Sequence, residues 1–436
     1  MAGFYHFTKR NQTTFITINY LAIILYNFLI RAYAFAIRLS SFRNAKAKLW
    51  IKGRVNWRKN LETKMRPLRS APVIWVHCAS YGEFEQGRPL IEAIQKQRPL
   101  YKILLSFFSP SGYEEFKNWQ GADVIVYLPL DTKKNALDFI KIVNPNTVIF
   151  IKYEFWVNFL YALKNKSIPT FLVSAVFKSH HPFFKWYGSI FRKSLLSFQR
   201  LFIQDAHSGL LLKNIGINNF EVCGDTRFDR VMKIKNEFTP LAFFENFCGK
   251  HSVLVAGSTW PGDEELLVAA FQQISDPNLR LIIAPHHVDQ KNIPNLCDLL
   301  DKNNLSYSLY TQQIKDPSKQ ILIIDTIGLL SNIYYYANVT YIGGGFNSGI
   351  HNCLEPAVYL KPVIFFGDDF DQYNEAVDLI KIKAAKNVMD ATELEVAILH
   401  YLNNWEDRKG LEKNLSAYFE KNSGTTEKVL RSINLA

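Results

Sequence analysis

Four clusters in this 436-residue chain combine side chains able to do chemistry with the glycines and short polar residues of a loop. The first is Ser80-Tyr81-Gly82-Glu83, directly after the apolar run Val73-Ile74-Trp75-Val76-His77. A glycine here permits a tight strand-to-helix turn and presents Glu83 at the start of the following helix. The helix dipole stabilises a carboxylate in that position, which is sufficient reason for one to be there. Glu83 is equally a general base if an acceptor hydroxyl comes within hydrogen-bond reach, and the residues alone leave the two readings level.

The second cluster is Ala256-Gly257-Ser258-Thr259-Trp260-Pro261-Gly262-Asp263-Glu264-Glu265. Hydroxyls at such a loop cap the next helix, the commoner case, or bind phosphate oxygens alongside backbone amides. The third is Pro285-His286-His287. Adjacent histidines rarely share a metal and no third ligand stands at a fitting spacing, so contact with a polar ligand or plain exposure is preferred to zinc. The fourth carries the strongest signal: Gly343-Gly344-Gly345-Phe346-Asn347-Ser348-Gly349-Ile350-His351-Asn352-Cys353-Leu354-Glu355-Pro356. Three glycines after an apolar strand let a ligand approach the backbone, a helix is expected from about Cys353, and Glu355 in its first turn is placed to accept hydrogen bonds from a ribose. A loop with no ligand has little need of so many polar groups beside glycines.

The elements that must hold these clusters are β-rich runs alternating with helical patterns, the pattern of βαβ units and a parallel sheet. Strands are expected at 73–77, 102–106, 124–127, 147–151, 170–174 and 200–204, and the first is followed by a helical pattern over 86–95. A second series runs through 252–256, 280–284, 320–324, 339–342 and 362–366. Residues 225–240 are charged and irregular and mark the joint. The reading is therefore an N-terminal anchor over 1–42, a first Rossmann-like domain over 43–230 and a second over 231–436. Every cluster falls at the carboxyl end of a strand, where doubly wound sheets bind ligands, and the two domains are expected to face each other across a cleft.

Phe15 to Ile30 reads FITINYLAIILYNFLI, flanked by Lys9, Arg10 and Arg31, with Thr17, Asn19 and Asn27 interrupting it. That is short for a spanning helix, and no small-residue cleavage site follows. Between Arg43 and Arg69 ten Lys or Arg oppose the single acid Glu62, an asymmetry that puts the body at the cytoplasmic face of a membrane against anionic headgroups. The alternatives are a soluble core helix followed by a solvated basic linker; a nucleic-acid arm is disfavoured because stacking aromatics are not interleaved with the charges. The net charge of +12 asks for an anionic partner without choosing one. Five cysteines without a CxxC pair exclude a disulfide framework and are expected as buried thiols in a reducing compartment.

These segments together resemble the bacterial Kdo (3-deoxy-D-manno-octulosonic acid) transferases that act on lipid A precursors. The resemblance rests on Trp75 to Glu83, Leu128-Pro129-Leu130-Asp131, Tyr153-Glu154-Phe155-Trp156-Val157-Asn158, Gly224-Asp225-Thr226-Arg227-Phe228-Asp229, Gly257-Ser258-Thr259, Pro285-His286-His287, Asp325-Thr326-Ile327-Gly328 and His351 to Pro356. It implies the GT-B fold with a membrane-anchoring N-terminal helix at the cytoplasmic side of the inner membrane. It implies CMP-Kdo and a lipid A precursor as substrates, and no metal, cofactor or nucleic-acid partner. By position it makes Glu83 the proton acceptor, with Ser80, Gly82 and Lys178 on the acceptor side. The donor-binding set becomes Arg227, Ser258, Thr259, Pro285, His286, His287, Ile327, Gly328, Leu329, Gly344, Gly345, Asn352, Cys353, Leu354 and Glu355. The chain departs from the family pattern in several places: His286 replaces a usual Arg, Leu329 a usual Glu and Arg227 a usual Lys, and Lys178 is the basic residue near a missing Asn-Ala-Arg. Two rival readings are another sugar-nucleotide transferase or epimerase of the same fold, and a non-catalytic membrane adaptor.

Overall fold

The computed structural model describes residues 2–312, 319–346 and 349–433, apart from the side chains of residues 2–20 and Trp405. Asn347 and Ser348 of the glycine loop, and the side chains of Lys9, Arg10, Thr17 and Asn19, lie outside the description. The chain forms two compact units, Met1–Arg230 with Gly424–Ala436, and Val231–Ser423.

The first unit is built on seven parallel strands: β1 (Val73–Cys78), β2 (Lys102–Phe107), β3 (Val124–Tyr127), β4 (Thr147–Ile151), β5 (Thr170–Ala175), β6 (Arg200–Ile203) and β7 (Phe220–Val222), in the order β3-β2-β1-β4-β5-β6-β7. Side chains alternate across a strand, and here both faces are buried. Trp75, Leu104, Val148 and Leu172 enter one core, while Ile74, Val76, Ile103, Leu105 and Ile149 enter another on the opposite face. That is why these strands read as continuous apolar runs.

The second unit repeats the plan with β8 (Ser252–Thr259), β9 (Leu279–Pro285), β10 (Tyr307–Leu309), β11 (Ile321–Ile323), β12 (Val339–Ile342), β13 (Val363–Phe366) and β14 (Ala385–Val388), ordered β10-β11-β9-β8-β12-β13-β14. Each unit is thus doubly wound, and the switch in strand order falls beside β1 in one and β8 in the other.

The second unit stops short of the C terminus. The last helix (Thr425–Ser432) packs on the first unit, with Val429 and Ile433 in the core that holds β1 and β2. Asp229 accepts from the backbone N–H of Gly424 and Thr426, both at 2.6 Å. Residues 424–433 therefore depart from the expected 231–436 domain.

Helix α1 (Ala2–Ser40) carries the apolar N-terminal run. Leu21–Ser40 is long and apolar enough to cross a membrane, by length and composition. One side of this helix bonds to the first unit. Tyr26 Oη donates to Asp131 Oδ2 at 2.6 Å, and Asn158 Nδ2 donates to Asn27 Oδ1 at 3.0 Å. The opposite side leaves Leu21, Leu25, Phe28, Leu29, Phe35 and Leu39 exposed.

The basic stretch after it is folded, contrary to a linker, as α2 (Ala45–Lys52) and α3 (Trp57–Met65). Three of its cations serve the structure. Arg54 donates to the carbonyls of Trp50, Phe108 and Leu128 and lies over the rings of Trp50 and Phe108, with burial lowering it to about 9. Arg58 pairs with Asp138 and Lys64 donates to Ile125 O. Arg43, Lys46, Lys48, Lys52, Lys59, Arg66 and Arg69 remain exposed.

Candidate functional site

In the first unit the helix α4 (Tyr81–Gln97) begins five residues before the expected 86, so Glu83 lies in its first turn. Ser80 stands at the N-cap but makes no capping bond; its hydroxyl donates instead to Glu83 Oε2 in a short contact. The carboxylate is thereby oriented by its own loop. Gly82 is not a left-handed turn residue, and a Cβ built there meets nothing within 4 Å. What the glycine leaves is clearance beside Glu83.

Behind this loop runs a buried polar chain that no sequence signal assigned a role. Trp75 Nε1 donates to Ser106 Oγ at 2.7 Å, Ser106 Oγ lies 2.8 Å from His77 Nδ1, and His77 Nε2 lies 2.9 Å from Glu154 Oε2. Trp156 Nε1 also donates to that Glu154 oxygen. His77 Nδ1 also faces Ser106 O at 3.0 Å and Trp156 Nε1 lies 3.1 Å from His77 Nε2, so both ring nitrogens and each buried group of the chain have partners. The chain links the ends of β1, β2 and β4, setting where the Ser80 loop leaves the sheet.

Asp131 is fully buried and receives Tyr26 Oη, the N–H of Asn158 at 3.1 Å and the N–H of Phe159 at 3.0 Å. Burial raises its carboxyl to about 6 despite these donors. Asn27, which interrupts the apolar run in sequence, is there because it bonds Asn158. Both contact segments, Leu128 to Asp131 and Tyr153 to Asn158, stood among the quoted motifs; what no sequence pattern showed was their partner in α1.

Arg227 belongs to the first unit rather than the second, beyond β7, with its guanidinium 2.8 Å from Asp225 Oδ2. Tyr153 feels Arg227, Asp205, Glu83 and Asp225, and burial raises its phenol to about 12. Lys178 lies three residues past β5, its N–H directed to His181 Nδ1 at 3.3 Å. Ser80, Gly82, Glu83, Lys178 and Arg227 thus share the carboxyl edge of one sheet. A cavity of about 670 Å³ in this unit opens instead near Val73 at the amino end of β1, lined by Arg58, Arg69 and Lys141. The chemistry-bearing side chains are not there.

In the second unit β8 runs through Gly257-Ser258-Thr259, which the sequence had suggested as a loop. Ser258 has φ 56°, and the register against β9 shifts between Gly257 and Thr259. The expected hydroxyl cap is absent: Trp260 is the N-cap of the helix Pro261–Ile274, and Asp263 Oδ2 accepts the Trp260 N–H at 2.9 Å. Thr259 is buried and donates to Glu264 Oε1 at 3.0 Å; burial raises that carboxyl to about 7.

Asp263 is the hidden organiser of the glycine loop. Besides Trp260 N–H it accepts the N–H of Gly344 at 2.9 Å and Tyr341 Oη at 2.7 Å. The glycines serve the protein itself: a Cβ on Gly343 would lie 2.5 Å from Ser258 O, one on Gly345 would lie 2.0 Å from Phe366 O, and Gly344 has φ 103°. Their smallness lets β8, β12 and β13 converge, a use of these glycines within the protein itself.

His286 and His287, just past β9, are exposed. The His286 ring stacks between Trp260 at 5.0 Å and His351 at 4.4 Å. His351 Nε2 accepts from Trp260 Nε1 at 3.1 Å, and burial beside two histidines lowers it to about 4, so this ring is neutral. Pro285 is buried at the end of β9, while Ile327 and Gly328 stand exposed and Leu329 half-buried beyond β11. Asn352 Oδ1 accepts the Leu354 N–H at 3.2 Å and its Nδ2 donates to Glu355 Oε1 at 3.1 Å. The helix expected from about Cys353 is four residues, Leu354–Ala357, with Cys353 and Leu354 buried and Glu355 half-buried. Among the described residues no group of three His, Cys, Asp or Glu is placed to hold a metal.

Residues 52–230 match the family model described as 3-deoxy-D-manno-octulosonic-acid transferase (kdotransferase). The chain is 27% identical over 361 residues to the 3-deoxy-D-manno-octulosonic acid transferase of Aquifex aeolicus, covering 80% of this chain and 92% of that one. It is 25% identical over 392 residues to a bifunctional glycosyltransferase/methyltransferase of Fusobacterium nucleatum, covering 86% of this chain but only 59% of that protein. Among solved structures, a putative UDP-N-acetylglucosamine 2-epimerase from Listeria monocytogenes shares the fold, with TM-score 0.58 and 14% identity over 83% of this chain and 96% of that one.

Proposed function

We propose that this chain, a member of the 3-deoxy-D-manno-octulosonic acid (Kdo) transferase family, transfers Kdo from CMP-Kdo to a hydroxyl of a tetraacylated lipid A precursor. Glu83 takes the proton of the acceptor hydroxyl, whose oxygen attacks the anomeric carbon of Kdo. The bond from that carbon to the phosphate oxygen breaks, the electron pair leaves with CMP, and the configuration inverts. The observation that carries the reading is Glu83 itself. It lies in the family-matched segment, held by Ser80 at the carboxyl edge of the sheet, with open space at Gly82. A carboxylate serving only the helix dipole needs neither.

The donor nucleotide is assigned to the second unit, where Ser258, Pro285 to His287, Ile327 to Leu329 and Asn352 to Glu355 gather at the carboxyl edge. The stacked Trp260, His286 and His351 offer a ring platform there. Glu355 is the partner for ribose hydroxyls. Arg227, in the first unit and bound to Asp225, is assigned to the reacting sugar or departing phosphate rather than to the base or ribose. No metal is required of this scheme, since a monophosphate leaving group needs little more than amides and one cation.

The apolar side of α1 and the exposed cations from Arg43 to Arg69 support seating at the cytoplasmic face of an anionic inner membrane, near the lipid acceptor. The test is incubation of the full chain with CMP-Kdo and the tetraacylated precursor, followed by mass spectrometry of the lipid. A mass gain of one or more Kdo units is expected, and an unchanged lipid overturns the reading. The epimerase likeness is one of fold, and no observation at the loops favours that activity.

A further inference from the structure

The loops that follow β4 and β5 carry a group of cations that the transfer step does not use. These strands are neighbours, Ile151 pairing with Val173, and Lys152 N–H donates to Val173 O at 2.8 Å. Left-handed residues that are not glycine stand at the carboxyl ends of both strands, Lys152 just past β4 at φ 67° and Ser174 next to last in β5 at φ 57°. Such backbone is uphill for a residue with a side chain and persists where the surroundings impose it, often at a ligand site. Its effect is to turn the next residues out of the sheet at one place.

Tyr153 is the centre of what gathers there. Lys152 Nζ lies 5.3 Å from the Tyr153 ring centroid, and the His181 ring meets it edge-on at 5.7 Å. His180 lies against His181 at 4.8 Å. Lys178 N–H points to His181 Nδ1, so Nδ1 accepts and Nε2 keeps the ring's proton as a donor. Acids approach the same place, but two are already engaged: Asp225 holds Arg227, and Asp205 Oδ1 accepts the Ser208 N–H at 2.7 Å. Glu83, which also acts on Tyr153, is the base of the proposed reaction.

We propose that Lys152 and His181, grouped around Tyr153, together with Lys178 on the adjoining loop after β5, form a subsite for an anionic substituent, phosphate or carboxylate, of the saccharide acceptor. Two ammonium groups, an imidazole N–H and a phenol supply donors only to an oxyanion, and ammonium groups recognise one as point charges without demanding a planar fork. Tyr153 and Glu83 stand at the carboxyl edge of the same sheet, after the neighbouring strands β4 and β1. The inference rests on the transferase reading for the identity of the acceptor, though not for the existence of the subsite.

The test uses the full chain and three acceptors: the phosphorylated lipid precursor, the same lipid dephosphorylated, and one already bearing a Kdo carboxylate. Lys152→Ala and Lys178→Ala each lower the preference for an anionic over the dephosphorylated acceptor about tenfold in kcat/KM, chiefly through KM, as loss of one charge-assisted contact implies. Lys152→Arg retains the preference. Loss confined to the phosphorylated lipid identifies phosphate, and loss confined to the Kdo-bearing lipid identifies carboxylate. An equal loss on all three acceptors, or a rise only in KM for CMP-Kdo, overturns the subsite. If the wild-type protein transfers Kdo to none of them, the transferase reading fails by itself. Calorimetry with the phosphorylated headgroup then decides the subsite: binding about tenfold weaker in Lys152→Ala supports it, and equal affinity refutes it.

Discussion

Replacing Glu83 by Gln separates its two readings because they predict losses of different size in different assays. The side chain is half-exposed in the first turn of α4, and its recorded hydrogen bond is the one received from Ser80. A glutamine carbonyl still accepts that bond, so the structural cost is the lost interaction of charge with the helix dipole, about 0.3–1 kcal/mol. A general base contributes about 10²–10⁴ in rate, equivalent to roughly 3–5 kcal/mol of transition-state stabilisation. Glu83→Gln is therefore expected to leave the unfolding midpoint within a few degrees of wild type and CMP affinity unchanged, while kcat falls at least a hundredfold. Ser80→Ala removes the group that orients the base, for an expected loss of about tenfold, roughly the worth of one hydrogen bond to a charged acceptor. In the Glu83→Gln background the same Ser80 change should do nothing further, since it acts through the carboxylate. Single-turnover kinetics on the four proteins measure this. A Glu83→Gln enzyme within tenfold of wild type, or fully additive losses, would refute the reasoning.

Asp263→Ala leaves the amides of Trp260 and Gly344 and the Tyr341 hydroxyl without their acceptor; at about 1–3 kcal/mol per unpaired buried group, a loss of several kcal/mol in the second unit is expected by denaturant titration, together with weaker CMP binding. Glu355→Ala is expected to weaken CMP binding about tenfold, the worth of one charged hydrogen bond, and to leave KM for the lipid acceptor near wild type, as calorimetry and steady-state kinetics show. Asp131 provides a pH test: its carboxyl is raised from 3.8 to about 6 in the folded chain, so between these values the folded state holds a proton that the unfolded chain has released. The associated stability is present below about pH 4 and is lost as pH rises through 6, by up to about 3 kcal/mol. Urea titrations at pH 5 and 7 should show that slope in wild type and a flatter one in Asp131→Asn.

The strands that were legible were the doubly buried ones. Val124–Tyr127, Thr147–Ile151 and Val339–Ile342 are short unbroken apolar runs because both faces of their sheets are covered. The strands without such a signal, β10 and β14, sit at the two edges of the second sheet. Ala385-Lys386-Asn387-Val388 needs only a partner on one side and keeps Lys386 exposed, so no hydrophobic period announces it. At the site, residue types were readable but their partners were not. Ser258 and Thr259 looked like a cap, yet Asp263, an ordinary first-turn acid in sequence, does the capping and clamps the loop as well. The glycines at 343 and 345 signalled close approach correctly, but of backbone to backbone. Asn27 looked like a flaw in an apolar helix because its partner Asn158 lies 131 residues away.

The return of the last helix to the first unit makes the second unit an insertion. Thr425 Oγ1 donates to Cys223 O at 2.9 Å, and Asp229 receives the amides of Gly424 and Thr426, so the segments entering and leaving the insertion are fastened to each other. The consequence is an asymmetry in how the protein can be dissected. Residues 231–423 form one continuous stretch of chain. Trimming the C terminus, by contrast, strips Val429 and Ile433 from the core beneath β1, so a clone ending near 423 damages the domain that carries Glu83, more than 300 positions upstream. In a ribosome-bound chain the same feature sets an order: the core around β1 is complete only once residues 424–433 have emerged, after the whole of the insertion.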